Sequence, residues 1–434
     1  MARSWAAFAG TAAALIASAR GQVDEQRISS LESRVDELEA SQVVELHGSG
    51  TTNPSKYLWE AMDLFEERAR QPMHMTYRAV GSGTGQSEFL GETNPRGAFT
   101  PYNDFGCGDI PMSQANYNKL TKPMVHIPFA MSAIAIFHSV PASANGGADI
   151  KLTGCVLAKI FSRQIKTWDD QEIKALNPSL VVPASTNIKV VHRVLGSSST
   201  AGTTEYLKKA CPASWTLDVG SVVNWPSDTF EAQGSGGMAT FLETEDYAIG
   251  YLDAGHGHSL GLQEIALENK NSKSVTSKTA DIGAAGAVAL SGSTSVIPSD
   301  PSADWSGVNL YDLEGDTTWP ITVFSYFYVR KNVSDMPPKT AALLKAFIEF
   351  SMSAEGGELL KKHSFAQVPT QVKTYNENTL TKMTWPDRMM EFGFELASKT
   401  QMGVGAGRYM ISGKRRGFEE YTLEALSKDV AELS

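Results

Sequence analysis

From Val43 onward, short apolar runs alternate with helix-patterned stretches, and the junctions are turns rich in glycine, serine and threonine. VVELHGSG leads through TTNP into SKYLWEAMDLFEERAR, and HMTYRAVGSG leads into TGQSEFL. In the first helical stretch Tyr57, Leu58, Ala61, Met62, Leu64 and Phe65 share one face, the spacing of a helix laid on a core. Strand followed by helix, repeated, admits few architectures. The pattern predicts an α/β fold with parallel strands. A strand is expected at 319–330 (WPITVFSYFYVR) and a helix over PKTAALLKAFIEFSMS. Residues 265–305, rich in Ser, Gly, Ala and Asn, read as loops and short strands.

The chain has 434 residues, 42% of them apolar, enough for one large or two medium cores. A net charge of −10 argues against a nucleic-acid partner. It excludes no small anion, which local donors can hold. Arg3, an apolar run at 6–17 and then Ala17-Ser18-Ala19 read as a signal peptide over residues 1–19. That run is too short to span a bilayer. Exported placement follows (periplasmic, extracellular or cell surface). The first cysteine is Cys107, so a bacterial-type lipoprotein is not expected. Residues 20–43 read as a helical spacer, in which Ile28, Leu31, Val35 and Leu38 take a and d heptad positions. Segment 24–42 is therefore a candidate for self-association. Cys107, Cys155 and Cys211 allow at most one disulfide. The tail, 391–434, ends in the amphipathic FEEYTLEALSKDVAEL, a second candidate for self-association or for docking on the body.

Three strand-to-helix turns share one chemistry: GSGTTNPSKYL (48–58), VGSGTGQSEFL (80–90) and HRVLGSSSTAGTTEYL (192–207). The last reads as a strand over 188–191 and a helix beginning near Ser199. Each turn sets backbone N–H groups and hydroxyls at a helix start, where unpaired donors and the helix dipole favour an anion. Arg193 stands beside the third. In DFGCGDIPMS (104–113), Asp109 follows two glycines. An ionised carboxylate only accepts hydrogen bonds. At an anion site it would welcome the O–H of HPO₄²⁻ or H₂PO₄⁻ and reject fully ionised sulfate. Neither GxxxxGK[ST] nor a dinucleotide fingerprint occurs, so nucleotides are not indicated. His192 and His47 adjoin no recognisable nucleophile, and no acidic metal cluster is evident. We therefore expect no enzyme, no metal and no cofactor. GHGH (255–258) reads as a loop with exposed histidines.

These stretches, in this order, resemble the phosphate-binding protein of bacterial phosphate ABC importers. The motif-bearing pieces are GSGTTNP, TYRAVGSGTG, DFGCGDIPMS, LTGCVLAKIFSRQIKTWDDQEIKALNPSL, IKVVHRVLGSSST, VVNWP, AIGYLD and TWPIT. The resemblance implies a two-lobed, type II periplasmic-binding fold. Lobe I would comprise 44–128 plus 320–390 and lobe II 129–319, with phosphate in the cleft between them. It implies ligand contacts from Thr52, Asn53, Ser82, Asp109, Arg193, Ser197, Ser198 and Ser199. It also implies inorganic phosphate as the partner, with an ABC permease or another membrane transporter behind it. The chain departs from the family at its site: Leu195 stands where an aspartate usually pairs with the arginine, Ser198 where glycine is usual, and Asn53 where an aromatic is common. Rival readings are an exported phosphatase or phosphoesterase on the same scaffold, or a binder of another oxyanion.

Overall fold

The computed structural model describes residues 43–69, 71–92, 100–289 and 297–393, with residues 25, 27–30, 422 and 426 besides. Apart from those, the signal segment, the heptad segment and the tail lie outside the described residues. The principal elements begin with β1 (Val44–Gly50), α1 (Ser55–Arg68), β2 (Met73–Ala79), α2 (Ser82–Phe89), β3 (Phe105–Gly108) and β4 (Met124–His138). Next come α3 (Gly154–Phe161), β5 (Lys189–Arg193), α4 (Ser198–Ala210), β6 (Phe230–Ala232), α5 (Gly234–Thr244), β7 (Ala248–Asp253) and α6 (Ala254–Ser259). The series closes with α7 (Ile282–Ala289), β8 (Ile321–Arg330), α8 (Pro338–Met352), α9 (Ala354–Lys362) and α10 (Thr370–Thr381).

An 11-stranded sheet runs along the path β2–β1–β3–β8–β4–β7–β5–β6. At one end β2, β1 and β3 are parallel; at the other β7, β5 and β6 are parallel. Two antiparallel strands, β8 and β4, join the groups. β4 is 15 residues long and buried throughout. Its first part pairs with β8 and its last five residues pair with β7. One strand thus serves two cores. The first gathers Leu46, Tyr57, Phe65 and Phe105 against Phe347 and Phe350. The second gathers Ile136, Phe161, Trp168, Val190, Trp215 and Tyr251. Alternation along β1 buries Val44 and Leu46 while Glu45 is exposed, the period-2 pattern of a strand. The apolar face of α1 is buried as its spacing predicts, with Leu64 only partly covered.

Two sequence expectations need correction. The stretch 265–305 holds short strands but also a helix, α7, whose Ala285 is buried in a third cluster with Met131 and Trp305. Small, polar-flanked residues hid its helical character. The GHGH stretch is the short helix α6, capped by Asp253, and both histidines are half-buried. His258 is bonded to Ser277 at 2.9 Å.

A disulfide joins Cys155 on α3 to Cys211 at the end of α4, across 56 residues, and Cys107 is a buried free thiol. Closing a loop of that length removes about 4 kcal/mol of unfolded-chain entropy. Replacing both bridge cysteines by serine should lower stability by a similar amount, read as a reduced midpoint in urea melts. An unchanged midpoint would show that the bridge is mechanically idle.

Candidate functional site

The three polar turns meet because glycines let their backbones touch. Gly50 has φ +152, and a Cβ there would lie 1.8 Å from Cys107 O. A Cβ on Gly85 would lie 2.4 Å from Gly50 Cα, and one on Gly83 3.1 Å from Gly196 Cα. A Cβ on Gly81 would lie 3.2 Å from Gly196 O and 3.8 Å from Arg193 Nη2. The first turn therefore lies against β3 and α2, and the second against the third. Neither α1 nor α2 has a side-chain cap. At α4, Ser197 caps Ser199 N–H, 3.2 Å away.

Asp109 stands where they converge, 3% exposed. Its Oδ2 accepts from Thr51 Oγ1 at 2.5 Å and from Ser198 Oγ at 3.1 Å; its Oδ1 accepts from Ser325 Oγ at 2.6 Å. Its backbone N–H donates to Ser82 Oγ at 3.3 Å. Burial raises the Asp109 pKa, opposed by the Ser325, Thr51 and Ser198 hydrogen bonds. A carboxylate offers about four acceptor positions; three hydroxyls take three of them, and the Asn53 amide also acts on the charged form. Ser325 reaches Asp109 at a local irregularity. Pairing of β8 with β4 slips after Ser325, which faces Ala130, while Tyr326 faces Pro128. The extra residue, Phe129, makes a bulge that re-aims the strand.

Arg193, at the end of β5, is 7% exposed, and its Nε is buried with no hydrogen-bond partner. Burial lowers its pKa, while Tyr251 and Asp109 act in the other direction. The position two residues on, held by an acid in the pattern described above, is the half-buried Leu195. A buried guanidinium without a paired acid is a strong attractor for an anion. Tyr251 braces it from behind: the Tyr251 hydroxyl accepts from Arg193 N at 3.3 Å and contacts Thr200 Oγ1 at 2.7 Å. His192 points the other way, stacked on Trp225 and bonded to Thr229, as strand alternation requires.

Of the eight residues singled out in sequence, Ser82, Asp109, Arg193, Ser197, Ser198 and Ser199 are buried around this junction. Ser197 has its N–H bonded to Ser221 O and its oxygen to Ser199 N–H, which leaves its hydroxyl proton free. Thr52 and Asn53 lie on the side facing a cavity of about 330 Å³. Thr52 Oγ1 is 3.3 Å from Ser235 Oγ. Sequence reasoning missed Thr51, Tyr251, Ser325 and Asp253 as participants. Ser325 did leave a signal, since it is the lone serine inside the apolar run ITVFSYFYVR.

Comparison with known proteins fits this geometry. The sequence model of the PBP superfamily domain matches residues 28–355. The phosphate-binding protein PstS of Haemophilus influenzae is 28% identical over 342 residues, 77% of this chain and 92% of its own length. That of the archaeon Methanocaldococcus jannaschii is 27% identical, over 70% of this chain and 77% of its own. Among solved structures, a phosphate-binding protein from Stenotrophomonas maltophilia matches with a TM-score of 0.59 at 18% identity, covering 79% of this chain and 99% of that one. A two-lobed periplasmic-binding fold is thereby shown.

Ser325→Ala should push the Asp109 pKa further up, because a hydrogen bond to the charged form is lost. Carboxyl carbon NMR titration reads this directly. An unmoved titration would remove Ser325 from the site.

Proposed function

Because the chain belongs to the PBP superfamily, we propose that it captures inorganic phosphate between its lobes, outside the cytoplasm, for uptake or scavenging. The observation that carries this reading is the pairing of opposites at one buried junction. Arg193 has an unpartnered Nε, and Asp109 is a buried carboxylate that can only accept. Phosphate at neutral pH carries both negative charge and a proton. Arg193 takes the charge as a charge-assisted pair. Asp109 takes the P–O–H. The N-terminal donors of α1, α2 and α4 and the hydroxyls of Thr52, Ser82, Ser197, Ser198 and Ser199 hold the remaining oxygens. Sulfate has no proton to offer and leaves two anions face to face, at a cost of several kcal/mol.

Lobe I (44–128 plus 320–390) and lobe II (129–319) close on the anion by hinge motion about β4 and β8. Export is supported by the Cys155–Cys211 disulfide, which belongs to an oxidising compartment. Among the described residues no helix is long and apolar enough to cross a membrane. In this reading delivery into a cell falls to a membrane transporter of the ABC type or another class. The relatives' names speak of binding, and we assign no catalytic step: His192 and His47 are bonded to Thr229 and Thr76, not to a hydroxyl at the junction.

Titration calorimetry of the phosphate-stripped protein should show one tight site for phosphate and no heat with sulfate. Arg193→Ala should weaken phosphate by about 3 kcal/mol, more than a hundredfold. Asp109→Asn should weaken phosphate while narrowing its advantage over sulfate. Unaltered binding in Arg193→Ala would place the ligand elsewhere.

A further inference from the structure

A second buried carboxylate stands beside the first. Asp253 ends β7 and is 5% exposed. Its Oδ1 accepts His256 N–H at 2.7 Å. The Asn53 amide packs against both carboxylate oxygens, and Ser132 Oγ lies 2.8 Å from the other end of that amide. Asp253 therefore grips the first polar turn from outside, as Asp109 grips it from inside through Thr51. It also lines the cavity beside Thr52 and Asn53, which gives its proton a route to solvent.

The charges around Asp253 come from every side of that cavity. Asp109 acts from the end of β3 and Lys56 from α1. His256 lines the cavity from α6. Lys362 and His363 line it from the end of α9, and both are bonded to Glu60, at 2.5 and 2.7 Å. Lys362 and His363 are thus committed to Glu60, and among the described residues no basic side chain is bonded to Asp253.

We propose that Asp253 makes anion binding in this cleft pH-dependent: ionised, it sets a second negative charge beside the anion, and neutral, it removes that charge. The proposal rests on the phosphate reading above. Burial foremost, with Asp109 adding to it and His256 N–H opposing it, pushes Asp253 up to about 7. Below that pH Asp253 is neutral. As pH rises through it, the carboxylate ionises and repels the bound anion, so affinity falls. By linkage the bound anion raises the Asp253 pKa in turn.

Phosphate loses a proton of its own in the same range, so the informative quantity is a ratio. Phosphate Kd is measured by calorimetry on the full chain, from about pH 5.5 to about pH 8.5, for wild type, Asp253→Asn and Asp253→Ser. Asn keeps the shape of the side chain, and Ser keeps an acceptor for His256 N–H. The ratio of wild-type Kd to variant Kd should rise about tenfold across the range, the effect of one unit of coupled titration. A merely structural role shifts Kd equally at every pH, and a flat ratio overturns the proposal. Absence of phosphate binding by wild type at all pH values overturns the phosphate reading, and the proposal falls with it.

Discussion

A carboxylate taken out of water must be surrounded by donors, and here that requirement organises the centre of the molecule. Asp109 draws its donors from the first turn (Thr51), from α4 (Ser198) and from β8 (Ser325). Those positions are each more than a hundred residues from the next. No pair of them would meet without the whole sheet in register. An unsatisfied charge at this depth would cost several kcal/mol, so the polar junction selects one arrangement of the surrounding elements. It also leaves Nε of the arginine opposite buried without a hydrogen-bond partner.

The junction in turn depends on the long antiparallel pair β4 and β8. Both groups of parallel strands are fastened to this pair, one at each end. The slip after Ser325 is a small departure from ladder geometry with a large local result, since it turns a hydroxyl from an otherwise apolar strand onto Asp109. Glycines do the complementary work on the other side. At Gly50 any side chain would collide with Cys107 O, so the first turn and β3 approach as closely as they do only because nothing stands between them.

The strand–turn–helix rhythm was plain in the sequence because it depends on local rules: period-2 burial in β1, one apolar face on α1, a serine cap on α4. The serines after Arg193 and the acid after two glycines were legible for the same reason, since each is a local pattern with a chemical meaning. What stayed hidden was non-local. Ser325 gives no sign of its partner, because the bulge that aims it arises from how β4 and β8 pair. Nothing in AIGYLD marks Asp253 as special, because its contact with Asn53 exists only once β7 lies beside the first turn. Helix α7 was missed because its glycines and alanines carry little pattern, and its burial comes from Met131 and Trp305.

The first core is completed late. Phe65 meets Phe347 and Phe350 with ring centroids 5.4 and 5.3 Å apart, although nearly the whole second core is encoded between them. A ribosome releases β1, α1 and β2 long before α8, the element that covers them, has been made. Contacts so distant along the chain form slowly, because a large loop must close first. The emerging N-terminal segment can pair β1 with β2 and β3, but it lacks the cover of α8 for most of its synthesis. For the exported role proposed above, that delay is useful: a chain whose first core is still open is easier to thread through a translocation pore.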